Sequence, residues 1–220
     1  MKKSTAIILI LIVIGGGAAF LVTSVYMGGG FFNTGGRYDD SQLNDLGVIY
    51  TSQSDINAFN MGFSTTADCP WGFAEDGVDY FFNNGSEVIA TAPGIVTAIQ
   101  LLNFSAPNEY HVMVDIEFNQ SITLGYGIEM WTADPAQQTR QVSLLSVHVG
   151  DWVAKGTPIG SFLAFNSSAH LHFYVWYTFL NGTMHSVQSI CPEPFYGAAD
   201  LAEMLALVHT YHPDWNLCYC

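Results

Sequence analysis

Positive charge is the scarcest feature of this 220-residue sequence. Five lysines and arginines face nineteen aspartates and glutamates, and only three of the five cations lie beyond Gly28. Nucleic-acid binding requires clustered Lys and Arg side chains that displace counterions from phosphates. Binding to an anionic membrane surface requires a similar basic patch. The composition therefore argues against both classes of partner and indicates an acidic, charge-solubilised surface.

Long apolar runs are also missing, except at the N-terminus. Residues 6–27 carry no charge and are long enough to cross a bilayer at ~1.5 Å per residue. Because Lys2 and Lys3 precede this run, residues 1–5 are predicted to be a cytoplasmic tip and 6–27 a transmembrane signal anchor. A cleaved signal peptide with its apolar region at 7–14 is the alternative, and the protein would then be secreted. Both interpretations place the remaining residues outside the cytoplasm.

Cysteines are few but even in number, and they fit this extracytoplasmic location. The four are Cys69, Cys191, Cys218 and Cys220. Outside the cytoplasm they can form disulfides, and we expect Cys69 and Cys191 to pair with each other or with the terminal two. Glycosylation sequons begin at Asn84, Asn103, Asn119, Asn166 and Asn181, and they favour a surface glycoprotein.

The rest of the chain predicts a mainly β fold, a single antiparallel β-sheet or sandwich domain. Residues 28–68 are interpreted as a linker and lead-in, 69–197 as the β-rich domain, and 198–220 as a C-terminal helix with a cysteine-containing tail. Short β-branched and aromatic runs separated by Gly, Asn and Pro predict the strands, and apolar spacing predicts the helix. The strands are predicted at 77–82, 87–90, 94–101, 111–118, 121–130, 142–149, 158–165 and 170–180, and the helix at 199–212.

Three motifs between Gly72 and Tyr196 carry the chemistry. The first is Glu-Asp-Gly-Val-Asp at 75–79, followed at 85–96 by the pattern Gly-x-x-Val-x-Ala-x-x-x-Gly-x-Val. The second is a Val-x-x-Gly-Asp-x-Val-x-x-Gly hairpin at 147–156, and the third is Ala-His-Leu-His-Phe at 169–173. Together these motifs resemble the lysostaphin/LytM-type zinc metalloendopeptidases (metallopeptidase family 23, duplicated hybrid motif). The resemblance implies a LytM-type sheet with a peptide-binding groove.

The resemblance also assigns residues to an active site. It implies that Asp79 and His172 bind zinc and that His170 handles protons as the catalytic acid/base. On a strand His170 and His172 project to the same face, ~7 Å apart. Glu75 stands where the family has the His of His-x-Gly-x-Asp, and a glutamate can bind zinc through oxygen at ~2.0–2.2 Å. The candidate metal set is therefore Glu75, Asp79 and His172, for zinc or another divalent cation.

One further position departs from the family pattern. The family carries a Tyr-x-His whose His stabilises the oxyanion, whereas the stretch 123–129 offers Ile128 or Gly127 there. Loss of such a donor typically costs ~10²–10³ in rate. The other histidines (His111, His148, His185, His209 and His212) are not expected to substitute for the missing ones, although His185 follows the last core strand and could lie near the groove rim.

Two functional hypotheses follow from this altered set. The favoured one is a degenerate, non-catalytic or weakly active module that binds a cell-wall or surface peptide or polymer, or regulates another hydrolase. The alternative is an active metal-dependent endopeptidase with a Glu/Asp/His site. A biotinyl- or lipoyl-like carrier domain is a minor alternative, with Lys155 as the only candidate for the modified lysine.

Overall fold

Strands dominate the computed structural model, which describes residues 45–104, 109–119, 121–181 and 184–219. The strands are β1 (Ile56–Met61), β2 (Phe63–Ser64), β3 (Val78–Phe82), β4 (Glu87–Ile89), β5 (Gly94–Phe104), β6 (Glu109–Glu117), β7 (Ile122–Glu129), β8 (Trp152–Val153), β9 (Pro158–Ser161), β10 (His170–Asn181), β11 (Met184–Ile190) and β12 (Cys218–Tyr219). The helices are α1 (Pro135–Val142) and α2 (Ala198–Tyr211).

The main sheet is antiparallel, as predicted, and β10 lies near its centre. Its strand order is β1-β3-β10-β7-β6-β5-β8, and β11 pairs with the second half of β10 where β3 has ended. Strands β4 and β9 form a small antiparallel pair, and β2 and β12 form a parallel pair. In this order β3, β10, β7 and β6 are neighbours, and the loop before β3 enters the sheet beside β10.

The two faces of β10 have different roles because successive side chains of a strand point to opposite faces. Leu171, Phe173 and Val175 lie in the apolar core. His170 and His172 lie on the other face, which lines an open groove. The apolar alternation of β10 therefore fixes which side of the sheet carries its polar chemistry.

Helix α2 confirms the predicted C-terminal helix, whereas the strand predicted at 142–149 is wrong. Helix α1 ends at Val142, and the residues after it contribute only an isolated bridge between Leu145 and Gly160. Asp134 caps α1 by accepting from the Ala136 amide, and Pro135 occupies the first turn. The valines of 142–149 favoured a strand in the sequence pattern. Asp134-Pro135, a helix-start signal, was a better indicator of the structure of this region.

Strand β1 lies within the segment interpreted as a lead-in, yet it pairs with β3 in the main sheet. Two register shifts interrupt this pairing, between Ile56 and Ala58 and between Phe59 and Met61. Such bulges disturb the period-two alternation by which a strand is detected in a sequence. The irregular pairing explains why the sequence pattern did not predict β1.

A disulfide joins Cys191, just after β11, to Cys218 in β12. This matches one of the two alternatives predicted, in which Cys191 pairs with one of the two terminal cysteines. Cys69 forms no disulfide with a described residue. Among the described residues no helix has the length and apolarity needed to span a membrane. The predicted anchor at 6–27 falls outside those residues.

Candidate metal-binding and catalytic groove

A groove of about 530 Å³ runs across the open face of the sheet. It collects five carboxylates and three histidines: Glu75, Asp76, Asp79, Glu109, Glu129, His111, His170 and His172. The four residues singled out from the sequence, Glu75, Asp79, His170 and His172, all line it. The fold therefore brings together side chains from the loop before β3 and from strands β3, β6, β7 and β10.

The three predicted metal ligands lie together, because the carboxylates of Glu75 and Asp79 both approach the same ring nitrogen of His172. Antiparallel pairing of β3 with β10 sets Asp79 directly opposite His172. The Asp79 Oδ1 atom lies 2.8 Å from His172 Nδ1, and the Glu75 Oε1 atom lies 3.4 Å from the same nitrogen. Asp79 is almost fully buried, so its carboxylate is held in place by the sheet. Strand register thus explains how residues 93 positions apart meet.

Asp76 is a fourth member of this cluster that the sequence analysis did not single out. Its Oδ1 atom lies 3.0 Å from His172 Nε2, and donor atoms of Glu75, Asp76 and His172 all lie within 4.8 Å of one another. Both ring nitrogens of His172 therefore face carboxylate oxygens. Burial alone would lower the pKa of His172, but Asp76 and Asp79 raise it well above its ordinary value.

Gly77 allows the loop before β3 to reach His172. A Cβ at this position would lie 2.5 Å from His172 Nε2 and 2.6 Å from the Phe173 carbonyl oxygen. Any larger residue would push the loop, and with it Glu75 and Asp76, away from the ring. The Gly of the Glu-Asp-Gly-Val-Asp motif therefore has a steric role in assembling the cluster.

The chemistry of this donor set fits a divalent cation. Carboxylate oxygens and one imidazole nitrogen are suitable ligands for zinc and for harder divalent metals. Burial, followed by the charge of Asp79, raises the pKa of Glu75 to about 7. Three carboxylates, those of Glu75, Asp76 and Asp79, lie around one histidine here, and a bound cation would balance their charge.

His170 is oriented so that one nitrogen faces the groove. Its Nδ1 atom donates to the Ser168 carbonyl oxygen at 2.9 Å, while Nε2 lies 3.4 Å from Glu129 Oε2 and 3.6 Å from Asp79 Oδ2. Burial alone would lower the pKa of His170, but Glu129 and Asp79 raise it above its ordinary value. Nε2 is therefore the nitrogen that could exchange a proton with a bound ligand.

Glu129 occupies the position beside His170 that the sequence left unassigned. Strand pairing sets His170 opposite Glu129, and His172 opposite Gly127. Ile128 lies on the buried face opposite Leu171, so neither Ile128 nor Gly127 brings a polar side chain to the groove. Burial favours the neutral acid, but the contacts with His170 and His111 lower the pKa of Glu129 below its ordinary value. The group facing His170 is thus an anionic acceptor.

His111 lines the same groove, a position that the sequence did not predict. It stands opposite Glu129 in the β6–β7 pairing, with Nδ1 3.7 Å from Glu129 Oε1 and Nε2 3.3 Å from Glu109 Oε2. His148, His209 and His212 do not line the groove. Only knowledge of strand register could have placed His111 beside Glu129, because the sequence contains no local motif around it.

No protein-family model matches the sequence, and no curated protein matches it. Solved structures similar to this chain include the catalytic domain of the antimicrobial peptidase lysostaphin from Staphylococcus simulans (21% identity, 65% of this chain and 93% of that chain, TM-score 0.41). Others are a variant catalytic domain of the prophage-encoded protein EnpA from Enterococcus faecalis (18%, 62% and 88%, 0.41) and LytU (20%, 62% and 82%, 0.43).

Similarities at these identities and TM-scores are too low to carry an assignment of function. They involve peptidases of the type that the sequence motifs resemble. The resemblance to the lysostaphin/LytM peptidases rests on the three motifs, and residues of the first (Glu75 and Asp79) and the third (His170 and His172) line one groove.

Proposed function

We propose that this domain binds a divalent cation, zinc or a similar metal, through Glu75, Asp79 and His172, and holds a peptide in the groove beside it with little or no hydrolysis. When bound, such a cation would act as a Lewis acid toward a peptide carbonyl and toward water. Asp76 would accept from the remaining nitrogen of His172 and fix the orientation of the ring. His170 would direct Nε2 at the bound peptide.

A single observation supports weak or absent catalysis, namely the position of Glu129 beside His170. Peptide hydrolysis passes through a tetrahedral oxyanion that needs hydrogen-bond donors. Glu129 is an acceptor 3.4 Å from His170 Nε2, and its charge would repel an oxyanion formed there. Neither Gly127 nor Ile128 supplies the missing donor.

The ligand and location follow from the resemblance and the N-terminal sequence. Short peptides of a cell-wall or surface polymer are the ligands, and regulation of another hydrolase is a further role for a non-hydrolytic groove. The apolar run 6–27 would hold the domain outside the membrane, where its sequons could be glycosylated.

An active endopeptidase is the second candidate, and one observation favours it. His170 remains in the groove, with Nδ1 anchored and Nε2 facing the metal cluster, as a proton-transfer residue requires. A purely binding groove has no need of that arrangement.

Replacing the acceptor by a donor separates the two candidates. The full chain, loaded with zinc, and its Glu129→His variant would be incubated with a mixture of short peptides and followed by mass spectrometry. We expect the wild type to bind peptides with little cleavage, and the variant to cleave about a hundredfold faster, since one oxyanion donor contributes ~10²–10³ in rate. Glu117→His, on β6 outside the groove, is the matched control. Rapid cleavage by the wild type that falls in Glu129→His would favour the endopeptidase instead.

A further inference from the structure

We propose that Glu109, together with Glu129 and the face of Trp131, forms a subsite for a positively charged side chain, that of a lysine or an arginine, in the bound peptide. This inference rests on the proposed function, because it names the class of peptide that the groove selects.

Glu109 is the observation that points to a ligand. It lies at the start of β6, is only 7% exposed and lines the groove. Its Oε2 atom lies 3.3 Å from His111 Nε2, whereas Oε1 is buried and has no hydrogen-bond partner among the described residues. A buried carboxylate oxygen without a donor costs free energy. An ammonium or guanidinium group entering the groove would supply that donor.

The charge around Glu109 is also unbalanced. Glu129 is the second carboxylate beside His111, and Glu75, Asp76 and Asp79 follow further along the groove. Among the described residues the only Lys and Arg side chains are Arg140 and Lys155, and neither lines the groove. Lys155 is instead paired with Asp200 at 3.1 Å. The five carboxylates of the groove outnumber its three histidines, so the groove keeps a net negative charge even with all three imidazoles protonated and attracts cationic ligands.

Trp131 adds an aromatic face to the groove, and its ring centroid lies 6.2 Å from that of His170. It is the only described residue other than glycine with a positive φ, 47°, and its side chain is 44% exposed. A bulky residue in this region is strained and points to a functional constraint. Asn166 Nδ2 donates to the Trp131 carbonyl oxygen at 3.0 Å, and the Tyr110 amide donates to Thr132, which brings this segment next to Glu109. Cations bind favourably over a tryptophan face.

The spacing places the subsite within reach of the same peptide that contacts His170. His170, Glu129 and His111 are register partners on three adjacent strands. Two strand spacings of ~4.8 Å separate the backbones of His170 and His111 by about 10 Å, or about three residues of an extended peptide. The cationic residue would therefore lie within about three residues of the peptide bond nearest His170.

Peptide affinity tests this inference without requiring bond cleavage. Short Gly/Ala peptides with Lys, Arg, norleucine or Glu scanned through one position would be titrated by calorimetry against the full chain, with zinc and with a chelator. We expect at least one Lys or Arg peptide to bind about tenfold more tightly than its norleucine counterpart, as charge-assisted hydrogen bonds imply. The Glu peptide should bind most weakly.

Two variants assign the preference to Glu109. Glu109→Gln should abolish the preference for Lys over norleucine, while Glu117→Gln, at the other end of β6, should keep it. Equal affinity for the Lys and norleucine peptides in the wild type would overturn the inference whether or not the variants fold. So would a preference that persists in a folded Glu109→Gln, or a second bound zinc that this variant loses.

Failure of the subsite and failure of the proposed function give different results in these experiments. A chain that prefers Lys peptides but binds no metal would retain the subsite and lose the proposed metal-binding role. A chain that binds one metal but shows no Lys preference would retain the role and lose the subsite.

Discussion

The groove has two walls with similar residues and different origins. The ligand wall consists of Glu75, Asp79 and His172, and the acidic wall consists of Glu109, His111 and Glu129. In the ligand wall the residues belong to two short local motifs. Strand pairing brings Asp79 Oδ1 of one motif to 2.8 Å from His172 Nδ1 of the other. In the acidic wall no motif exists, and the residues meet only because β6, β7 and β10 are in register. One part of this groove can therefore be predicted from sequence motifs, whereas the other part depends on how the strands pair.

The largest difference between the walls should appear in metal affinity. Structural zinc sites contribute ~10–16 kcal/mol shared among their ligands, so loss of one ligand implies a decrease of roughly a thousandfold. Glu75→Ala should produce a loss of this size, whereas Glu109→Ala should change zinc affinity less than about threefold. Isothermal titration with both variants measures this, and equal losses would mean that the two walls form one metal site.

A smaller effect should follow when the ligand wall is disturbed without removing a ligand. In Gly77→Ala the added Cβ would meet His172 Nε2 at 2.5 Å and displace the loop that carries Glu75 and Asp76. We expect zinc affinity to fall by about 10–100-fold, as for other groups that orient metal ligands. Gly127→Ala is the milder comparison on β7, because its Cβ would meet the flexible Met113 side chain at 3.0 Å and the His172 carbonyl oxygen at 3.3 Å, contacts that a small shift relieves. Comparable losses in both variants would contradict the steric role of Gly77.

The residues of the ligand wall could be predicted from the sequence because the spacing within each motif determines which side chains share a face. His170-x-His172 projects to one face of any strand, and Glu75 to Asp79 form one loop and strand entry. The sequence could not predict that Glu129 rather than Ile128 faces His170, because a shift of one residue moves a side chain to the opposite face. Helix α1 was not predicted, and a strand was predicted instead from its last residue, Val142, to Val149, because the valines of that segment outweighed the helix cap at Asp134.

The Tyr174 ring lies over Gly125 of β7, and filling the space between them should affect stability. Its hydroxyl donates to Asp115 Oδ1 at 2.7 Å across β7, where a Cβ on Gly125 would overlap the tyrosine ring. Gly125→Ala should destabilise the fold by about 1–3 kcal/mol, the usual cost of overpacking. Urea unfolding measures this, with Gly127→Ala as the control on the same strand. An unchanged midpoint would show that the ring moves away without cost.

The smallest expected effect is a pH dependence that arises from Asp115. Burial raises the pKa of Asp115, and the donors on Tyr174 and Gln100 only partly offset it. A carboxyl whose pKa is higher in the folded state stabilises the fold below its unfolded pKa, and this contribution is lost as the pH rises through the folded value. Asp115→Asn has no carboxyl at this position, so its stability lacks this decrease with rising pH. The free energy of unfolding of the variant relative to wild type should therefore increase from pH 4 to pH 7, and a constant or decreasing difference would contradict the assignment.

Metal content of the purified full chain tests the central claim most directly. Elemental analysis and calorimetry would be carried out on the wild type and on His172→Ala. We predict one equivalent of bound zinc or a similar divalent cation in the wild type and loss of that binding in His172→Ala. A wild-type chain that binds no metal at micromolar zinc, or a His172→Ala variant that binds it equally well, would contradict the account.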